Sequence, residues 1–170
     1  MSRKYKEFKV GDLFEYERGK VKAPKQVKDG NIPMVSETNL NNGVDRFVDF
    51  DVVHKGGCVT VSVNYARNVF YQEESFCASV NIIILRNDLL NKYNGLYISS
   101  VLSSNNKKYS YTNKISKTKL METHISLPIT PQGDPDWQYM EDFMKEIESE
   151  TQQTIETLDK ISTISRGGGK

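Results

Sequence analysis

The chain has 170 residues, of which 37% are hydrophobic and 26% are charged, a composition that supports a folded core and excludes an intrinsically disordered protein. Its length predicts one domain of ordinary size with at most one appended element. No apolar run approaches the roughly 20 residues of a membrane helix, and the N-terminus has no apolar signal segment, so we expect a cytoplasmic protein without membrane contact. Two cysteines, Cys58 and Cys77, are too few for a disulfide framework.

The net charge of +1 conceals two regions of opposite charge. Residues 1–130 carry 19 basic and 13 acidic side chains, whereas residues 131–160 carry two basic and nine acidic ones. Such an asymmetry bears on what a chain binds more than on how it folds. A basic body that contacts an acidic partner and a mildly basic domain beside a solvated acidic helix are equally compatible with it.

The first 130 residues are predicted to form one domain of short strands separated by polar turns. Turns are predicted at residues 29–31, 41–43 and 56–57, where Asp, Asn and Gly tolerate a positive φ. Residues 131–134 are predicted to be a linker, because the prolines of the PQGDP segment allow neither a strand nor a helix to continue.

Three segments of this domain have strand patterns and one has a helix pattern. Residues 58–64 alternate valine with polar residues, which is the period of a strand with one buried face. Residues 80–85 are apolar on both faces, which predicts a central strand. Residues 94–104 are predicted to be helical, and residues 124–127 are predicted to form a last strand that stops at Pro128.

Residues 135–165 are predicted to form one long helix. Asp134 is expected to cap it, and Pro135 suits its first turn. Apolar or threonine side chains recur at alternating spacings of three and four, which is a heptad pattern; they are Trp137, Met140, Met144, Ile147, Thr151, Thr154, Leu158 and Ile161. A helix of this length spans roughly 45 Å, which is longer than a domain of this size needs.

The apolar side chains of this stripe are expected to be buried against other protein surface along the whole helix. The first half of the helix is within reach of the body, whereas residues 154–161 are predicted to pack on another chain, so we expect a homodimer through the helix. Thr151 and Thr154 weaken the middle of the stripe. Residues 166–170 are predicted to be a flexible tail.

None of the common catalytic signatures occurs in the sequence. It contains no phosphate-binding loop, dinucleotide-binding turn, HExxH, GxSxG or kinase signature. His54 and Cys58 are separated by a Lys-Gly-Gly run that breaks any helix, and no CxxC pair accompanies them, so no zinc site is predicted. We therefore predict a non-catalytic chain with no metal ligands and no cofactor of its own.

Three predicted loops combine basic, amide and aromatic side chains, the groups that contact phosphates and base edges. They comprise residues 18–25, 36–43 and 105–114, and a weaker fourth candidate is the hairpin 64–68. Each alone is equally an ordinary polar turn, whereas together on a body of charge +6 they indicate nucleic-acid binding. The candidate contact residues are Lys20, Lys22, Lys25, Ser36, Thr38, Asn39, Asn41, Asn42, Asn64, Tyr65, Arg67, Lys107, Lys108, Tyr109, Tyr111, Asn113 and Lys114.

Several motifs, taken in order, resemble one protein family. The segments GDLFEYERGK (11–20), GNIPMVS (30–36) and NNGV (41–44) resemble the opening of a target-recognition domain. Such domains belong to the specificity subunits of type I restriction–modification systems and to their relatives in type II systems. The segments GCVTVSV, FYQ, YSY and ISLP, followed by a long helix, continue the same order, so the resemblance covers residues 7–165.

The resemblance implies a fold, a function and a set of partners. The implied fold is an α/β (α+β) target-recognition domain of short mixed and antiparallel strands, followed by one long coiled-coil-type helix. Such a module reads one half of a bipartite DNA site, and because a full specificity subunit carries two modules and two helices, this chain resembles a half-size subunit. The implied partners are double-stranded DNA, adenine-N6 methyltransferase subunits that bring S-adenosylmethionine, and an optional restriction subunit. The alternative is a non-catalytic protein-interaction adaptor, or an inhibitor that mimics a specificity subunit.

Overall fold

The computed structural model describes residues 3–110 and 112–167, with side chains described as far as residue 161. Within these residues, nine short strands form three small sheets and one long helix follows them. The strands are β1 Tyr5–Lys9, β2 Glu15–Arg18, β3 Asp29–Val35, β4 Val44–Val48, β5 Cys58–Ser62, β6 Val69–Gln72, β7 Cys77–Ala78, β8 Ile82–Arg86 and β9 His124–Pro128. The helices are α1 Val10–Leu13, α2 Lys92–Asn105, α3 Lys117–Met121 and α4 Trp137–Gly167. The predicted class, short mixed strands followed by one long helix, is confirmed.

The central sheet has a hydrophobic core on both faces, which explains the apolar sequence of its inner strand β8. Its strands lie in the order β2-β8-β5-β6, and every neighbouring pair is antiparallel. Ile83 and Leu85 of β8 belong to the larger core cluster, whereas Ile82 and Ile84 belong to a smaller one. The prediction of a central strand here is confirmed.

Strand β5 differs from the sequence prediction because both of its faces are buried. Thr60 and Ser62 were assigned to a solvent-exposed face, yet each is only 1% exposed. The Thr60 hydroxyl donates to the Phe70 carbonyl at 3.1 Å and accepts a hydrogen bond from Gln72 at 3.2 Å. Burial of this hydroxyl is tolerated because its hydrogen bonds replace those that it would make with water.

Two smaller sheets flank the central one. In the sheet β4-β3-β7, β3 pairs with β4 antiparallel and with β7 parallel, and β1 pairs with β9 antiparallel. The predicted turn at residues 29–31 is wrong: these residues begin strand β3, where the pairing register shifts between Asp29 and Ile32. The shift accommodates the polar Asp-Gly-Asn run as an irregularity within the strand.

Helix α2 lies against the central sheet and is confirmed by the structure. Asn91 caps its N-terminus, accepting hydrogen bonds from the backbone of Tyr93 and Asn94 at 3.0 and 3.1 Å. Gly95 allows a close approach to strand β6, because a β-carbon there would lie 2.3 Å from Cδ2 of Tyr71. Ile98 and Leu102 of α2 complete the larger core cluster.

Helix α4 begins two residues later than the sequence predicted. Asp136, and not Asp134, caps it, since its carboxylate accepts the backbone N–H of Tyr139 at 3.0 Å. Pro135 lies before the helix, where it forms an isolated antiparallel bridge with Ile129. The predicted tail overlaps the helix, which extends to Gly167, and residues 168–170 lie outside the described residues.

The first three turns of α4 are fixed to the body. The Met140 side chain is fully buried in the larger core cluster, and Trp137 packs against the same cluster. Glu148 accepts hydrogen bonds from Lys92 at 2.8 Å and from the Tyr93 hydroxyl at 2.9 Å, and these hold the pKa of its carboxyl below the ordinary value. The described side chains from residue 149 to 161 are exposed to solvent. Within the described chain, no helix combines the length and the hydrophobicity that crossing a membrane requires.

Candidate nucleic-acid interface

Three adjoining clefts bring residues from all four predicted loops together. We call them the lysine cleft, the hairpin cleft and the serine cleft. Strand order explains this convergence: the hairpin between β5 and β6, the loop between β3 and β4, and the segment after α2 all end beside one another. None of these proximities is visible in the sequence, because 10 to 79 residues separate the four loops from one another.

The lysine cleft has a volume of about 470 Å³ and joins the first two predicted loops. Lys22 and Lys25 come from the connection between β2 and β3, and Ser36 and Thr38 come from the end of β3. Asp45 also lines the cleft. Ammonium and hydroxyl groups here are suited to phosphate oxygens.

The hairpin cleft, of about 430 Å³, collects the largest number of predicted contact residues. Its lining combines amide, guanidinium and phenol groups, the donors and acceptors that base edges and phosphates require. The predicted residues that line it are Asn39, Asn64, Tyr65, Arg67 and Tyr109.

The serine cleft, of about 490 Å³, extends this surface along helix α2. Asn42, Arg67 and Lys107 line it together with four serines that the sequence analysis did not single out; they are Ser99, Ser100, Ser103 and Ser104. Arg67 borders both this cleft and the hairpin cleft. A serine stripe along one edge of a predicted helix was the available signal, but its position beside Arg67 depends on the tertiary fold.

The loop that separates the three clefts is rigidly built. Asn41, Asn42 and Gly43 have φ values of 47°, 56° and 80°, in the left-handed region that Asn and Gly tolerate best. The Asn42 amide donates to the Tyr71 carbonyl at 2.8 Å, and the Asn42 carbonyl accepts from Gln72 at 2.9 Å. The Asn42 side chain thus holds the loop in place, and its contact with DNA stays a prediction.

Glu37 is the residue that sequence reasoning missed. Its carboxylate accepts hydrogen bonds from the side-chain amides of Asn64 and Asn81, and its backbone carbonyl accepts one from Asn68 at 3.0 Å. One acidic residue thus ties the β3–β4 loop to the β5–β6 hairpin and to the start of β8. Asn64, predicted as a contact residue, belongs to this cluster through its side-chain amide, and its contact with DNA stays a prediction.

A comparison with protein families shows to which family the chain belongs. The sequence profile of the type I restriction modification DNA specificity domain matches residues 2–158. The chain belongs to this family.

The specificity-domain protein is similar to a curated specificity subunit. It is 31% identical over 150 residues to the type II restriction enzyme specificity subunit S.BcgI of Heyndrickxia coagulans, a match that covers 85% of this chain and 44% of S.BcgI. The chain therefore spans less than half the length of this relative.

Two solved structures share the fold at low sequence identity. The S subunit of a type I restriction–modification system from M. genitalium superposes with a TM-score of 0.61 at 16% identity, covering 96% of this chain and 44% of that one. The HsdS subunit of Thermoanaerobacter tengcongensis gives 0.59 at 16% identity, covering 98% and 40%. These likenesses show that the chain has the fold of one part of such a subunit.

The other predicted contact residues of the specificity domain lie around the clefts or support them. Lys20, Asn41, Lys108 and Lys114 are exposed, whereas the Asn113 amide closes a turn by donating to the Lys108 carbonyl at 3.2 Å. Tyr109 is half-buried against the larger core cluster, which leaves only part of its ring accessible to a ligand. Tyr111 lies outside the described residues.

The histidine and cysteine considered above as a metal pair have other surroundings in the specificity domain. The His54 Nδ1 atom lies 3.1 Å from Glu17, which also accepts a hydrogen bond from Arg86. Burial raises the pKa of Cys58 to about 11, so the thiol is protonated and unreactive at neutral pH. Among the residues that the structure describes, no group of three or more His, Cys, Asp or Glu side chains could hold a metal ion.

Proposed function

We propose that this chain is a DNA-reading subunit of a restriction–modification complex and that it reads one half of a bipartite site. The observation that carries the proposal is the convergence of four polar loops on the three clefts, in a chain whose family is that of DNA specificity domains. Arg67, Lys107 and the lysines of the lysine cleft contact phosphates and set the register. Asn39 and its neighbours in the β3–β4 loop face base edges in the major groove.

Methylation belongs, in this proposal, to other subunits. Adenine-N6 methyltransferase subunits bind S-adenosylmethionine and dock on this chain, and a restriction subunit joins the same assembly. The chain supplies position and discrimination: its clefts select the sequence, and its body holds the methyltransferase over the selected adenine. Family membership and the S.BcgI relative support this division of labour.

Helix α4 serves, we propose, as the spacer between two recognition modules. The turns of α4 that are fixed to the body end near Glu148. In the later described turns, Ile155, Leu158 and Ile161 are 48–60% exposed. Apolar side chains at this spacing are covered when two helices pair, so two copies associate antiparallel through α4 and place their clefts at opposite ends. The length of the helix then sets the distance between the two half-sites.

We expect Leu158→Glu and Ile161→Glu together to lower the assembly state of the purified chain. Each substitution places a carboxylate on the apolar stripe, where pairing would bury it without a counter-ion. Light scattering at several protein concentrations gives the mass. Gln152→Glu together with Gln153→Glu is the matched control, because it adds the same two charges at heptad positions away from the stripe. A mass that Leu158→Glu and Ile161→Glu leave unchanged contradicts pairing through α4.

The direct test of the proposed function is binding to duplex DNA. The recognition sequence is first obtained from methylation-aware sequencing of a host that carries this chain with its methyltransferase. The purified chain, alone and with that methyltransferase, is then titrated with duplexes that contain or lack the sequence, at several salt concentrations. We expect tight, salt-dependent binding that prefers the duplex with the site. A complex that assembles but does not distinguish the two duplexes overturns the proposal.

A further inference from the structure

One apolar side chain is exposed to solvent in the loop whose other residues line the polar clefts. Leu40 is 65% exposed, the highest value among the large apolar side chains that the structure describes. It contributes little to folding from this position, since burial of apolar surface is what stabilises a fold. An exposed leucine on its own is ordinary, so its significance depends on how it is held and what surrounds it.

The backbone on both sides of Leu40 is fixed by hydrogen bonds. The Leu40 N–H donates to the Thr38 hydroxyl at 3.1 Å, and the Leu40 carbonyl accepts from the Gly43 N–H at 2.9 Å. The following residues, Asn41 and Asn42, have left-handed backbone conformations, and the Asn42 side chain is anchored to strand β6. The side chain is therefore presented outward by a rigid tip and does not fold back onto the core.

The neighbours of Leu40 in the chain line each of the three clefts. Thr38 lines the lysine cleft, Asn39 the hairpin cleft and Asn42 the serine cleft. Cationic groups border all three clefts, among them Lys22, Arg67 and Lys107. An anionic ligand that spans these clefts is suited to these cations, and an apolar group on it would have Leu40 to contact at the loop tip.

Duplex DNA has one apolar group on its base edges, the 5-methyl group of thymine in the major groove. We propose that Leu40 is a specificity-determining residue that reads the 5-methyl group of one thymine in the half-site. Asn39 and Asn41 flank it with amide groups that bond to polar atoms of the same or adjacent base pairs. This inference rests on the proposed function, because it assigns a role to one residue of the same surface.

The experiment replaces each thymine of the half-site in turn with uracil, which removes only the methyl group. Binding of each duplex to the 170-residue chain, assembled with its methyltransferase, is measured by titration. We expect one thymine position at which uracil weakens binding about fourfold, the factor for one methyl group transferred out of water. The Leu40→Ala variant is expected to bind the thymine duplex about as weakly and to show no further loss with uracil.

Leu89→Ala is the matched control. Leu89 is 58% exposed, and its N–H also donates to a polar side chain two residues earlier, that of Asn87 at 2.8 Å, but it lies outside the three clefts. This variant is expected to retain full sensitivity to uracil, and both variants are expected to unfold at the temperature of the unmodified chain. The inference is overturned if no thymine position responds to uracil, or if Leu40→Ala keeps the response. Failure of the proposed function is distinguishable, because the unmodified complex would then show no preference for its site.

Discussion

The double substitution Arg67→Ala and Lys107→Ala is expected to weaken binding of duplex DNA about thirtyfold near 0.15 M salt. Both side chains line the serine cleft, and neither forms an ion pair within the described part of the chain. Both charges are therefore available to phosphates. Each lost phosphate contact reduces the steepness of the dependence of log affinity on log salt by about 0.9, so the slope should flatten by about 1.8.

Titrations at four or five salt concentrations give this slope for specific and non-specific duplexes. The loss should be nearly the same for both duplexes, because phosphate contacts carry no sequence information. Lys4→Ala with Lys55→Ala is the matched control: it removes the same charge, and Lys55 precedes strand β5 at the end opposite the β5–β6 hairpin. If the control flattens the slope as much as the cleft variant does, the clefts are not where DNA binds.

Replacing Met140 with alanine is expected to lower the free energy of unfolding by about 2–5 kcal/mol, the range for a large apolar side chain deleted from a core. Met140 is fully buried where α4 meets the larger core cluster, and it is the point at which the helix is fixed to the body. Urea denaturation of the purified chain, followed by far-ultraviolet circular dichroism, gives the free energy.

Met144→Ala is the comparison for this prediction, because Met144 lies one turn further along α4 and is only half-buried. Its effect should be clearly smaller. Equal losses at the two positions would contradict the view that the helix is fixed at Met140. The proposed spacer role requires a rigid attachment, because a helix sets a distance only if its angle to the body is constant.

The sequence predicted those elements whose pattern is decided locally. Strand β8 is apolar on both faces, helix α2 has helical periodicity, and Pro128 ends strand β9. The alternation in strand β5 predicts one solvent-exposed face because Thr60 counts as a polar residue. In the structure, the Thr60 hydroxyl is buried and forms hydrogen bonds with Phe70 and Gln72 on the neighbouring strand. The alternation of polar and apolar residues along one strand cannot show a hydrogen bond to a partner ten residues away.

The start of α4 shows a similar limit. Asp134-Pro135 and Asp136-Trp137 are both plausible helix starts in sequence, and the choice depends on backbone pairing outside the helix. Pro135 is held in a bridge with Ile129, and the Asp136 N–H donates to the Pro128 carbonyl at 2.9 Å. Asp136 therefore caps the helix, because this pairing uses its backbone N–H and leaves its carboxylate available to the first turn.

The sequence indicates individual candidate residues of the site, but it does not show that they form one surface. Loops rich in Lys and Asn are recognisable from composition, yet their convergence follows from the order of strands in the sheets. Composition also does not distinguish one asparagine side chain from another. In the structure, the side-chain N–H groups of Asn42 and Asn64 donate hydrogen bonds within the protein, whereas Asn39 is exposed to solvent. Glu37 could not be recognised from the sequence, because an acidic residue in a polar loop is informative only once its amide partners are known.

In the proposed function, this chain chooses the DNA sequence while other subunits perform the chemistry. The most direct test exchanges residues 38–41 for the corresponding loop of a relative with a different site, while the structural residues Glu37, Asn42 and Gly43 are kept. Methylation-aware sequencing of a host carrying the variant and the unchanged methyltransferase then gives the modified sequence. We predict a new half-site, methylated at the rate of the original one. Methylation of the original sequence by an intact variant complex would contradict the claim.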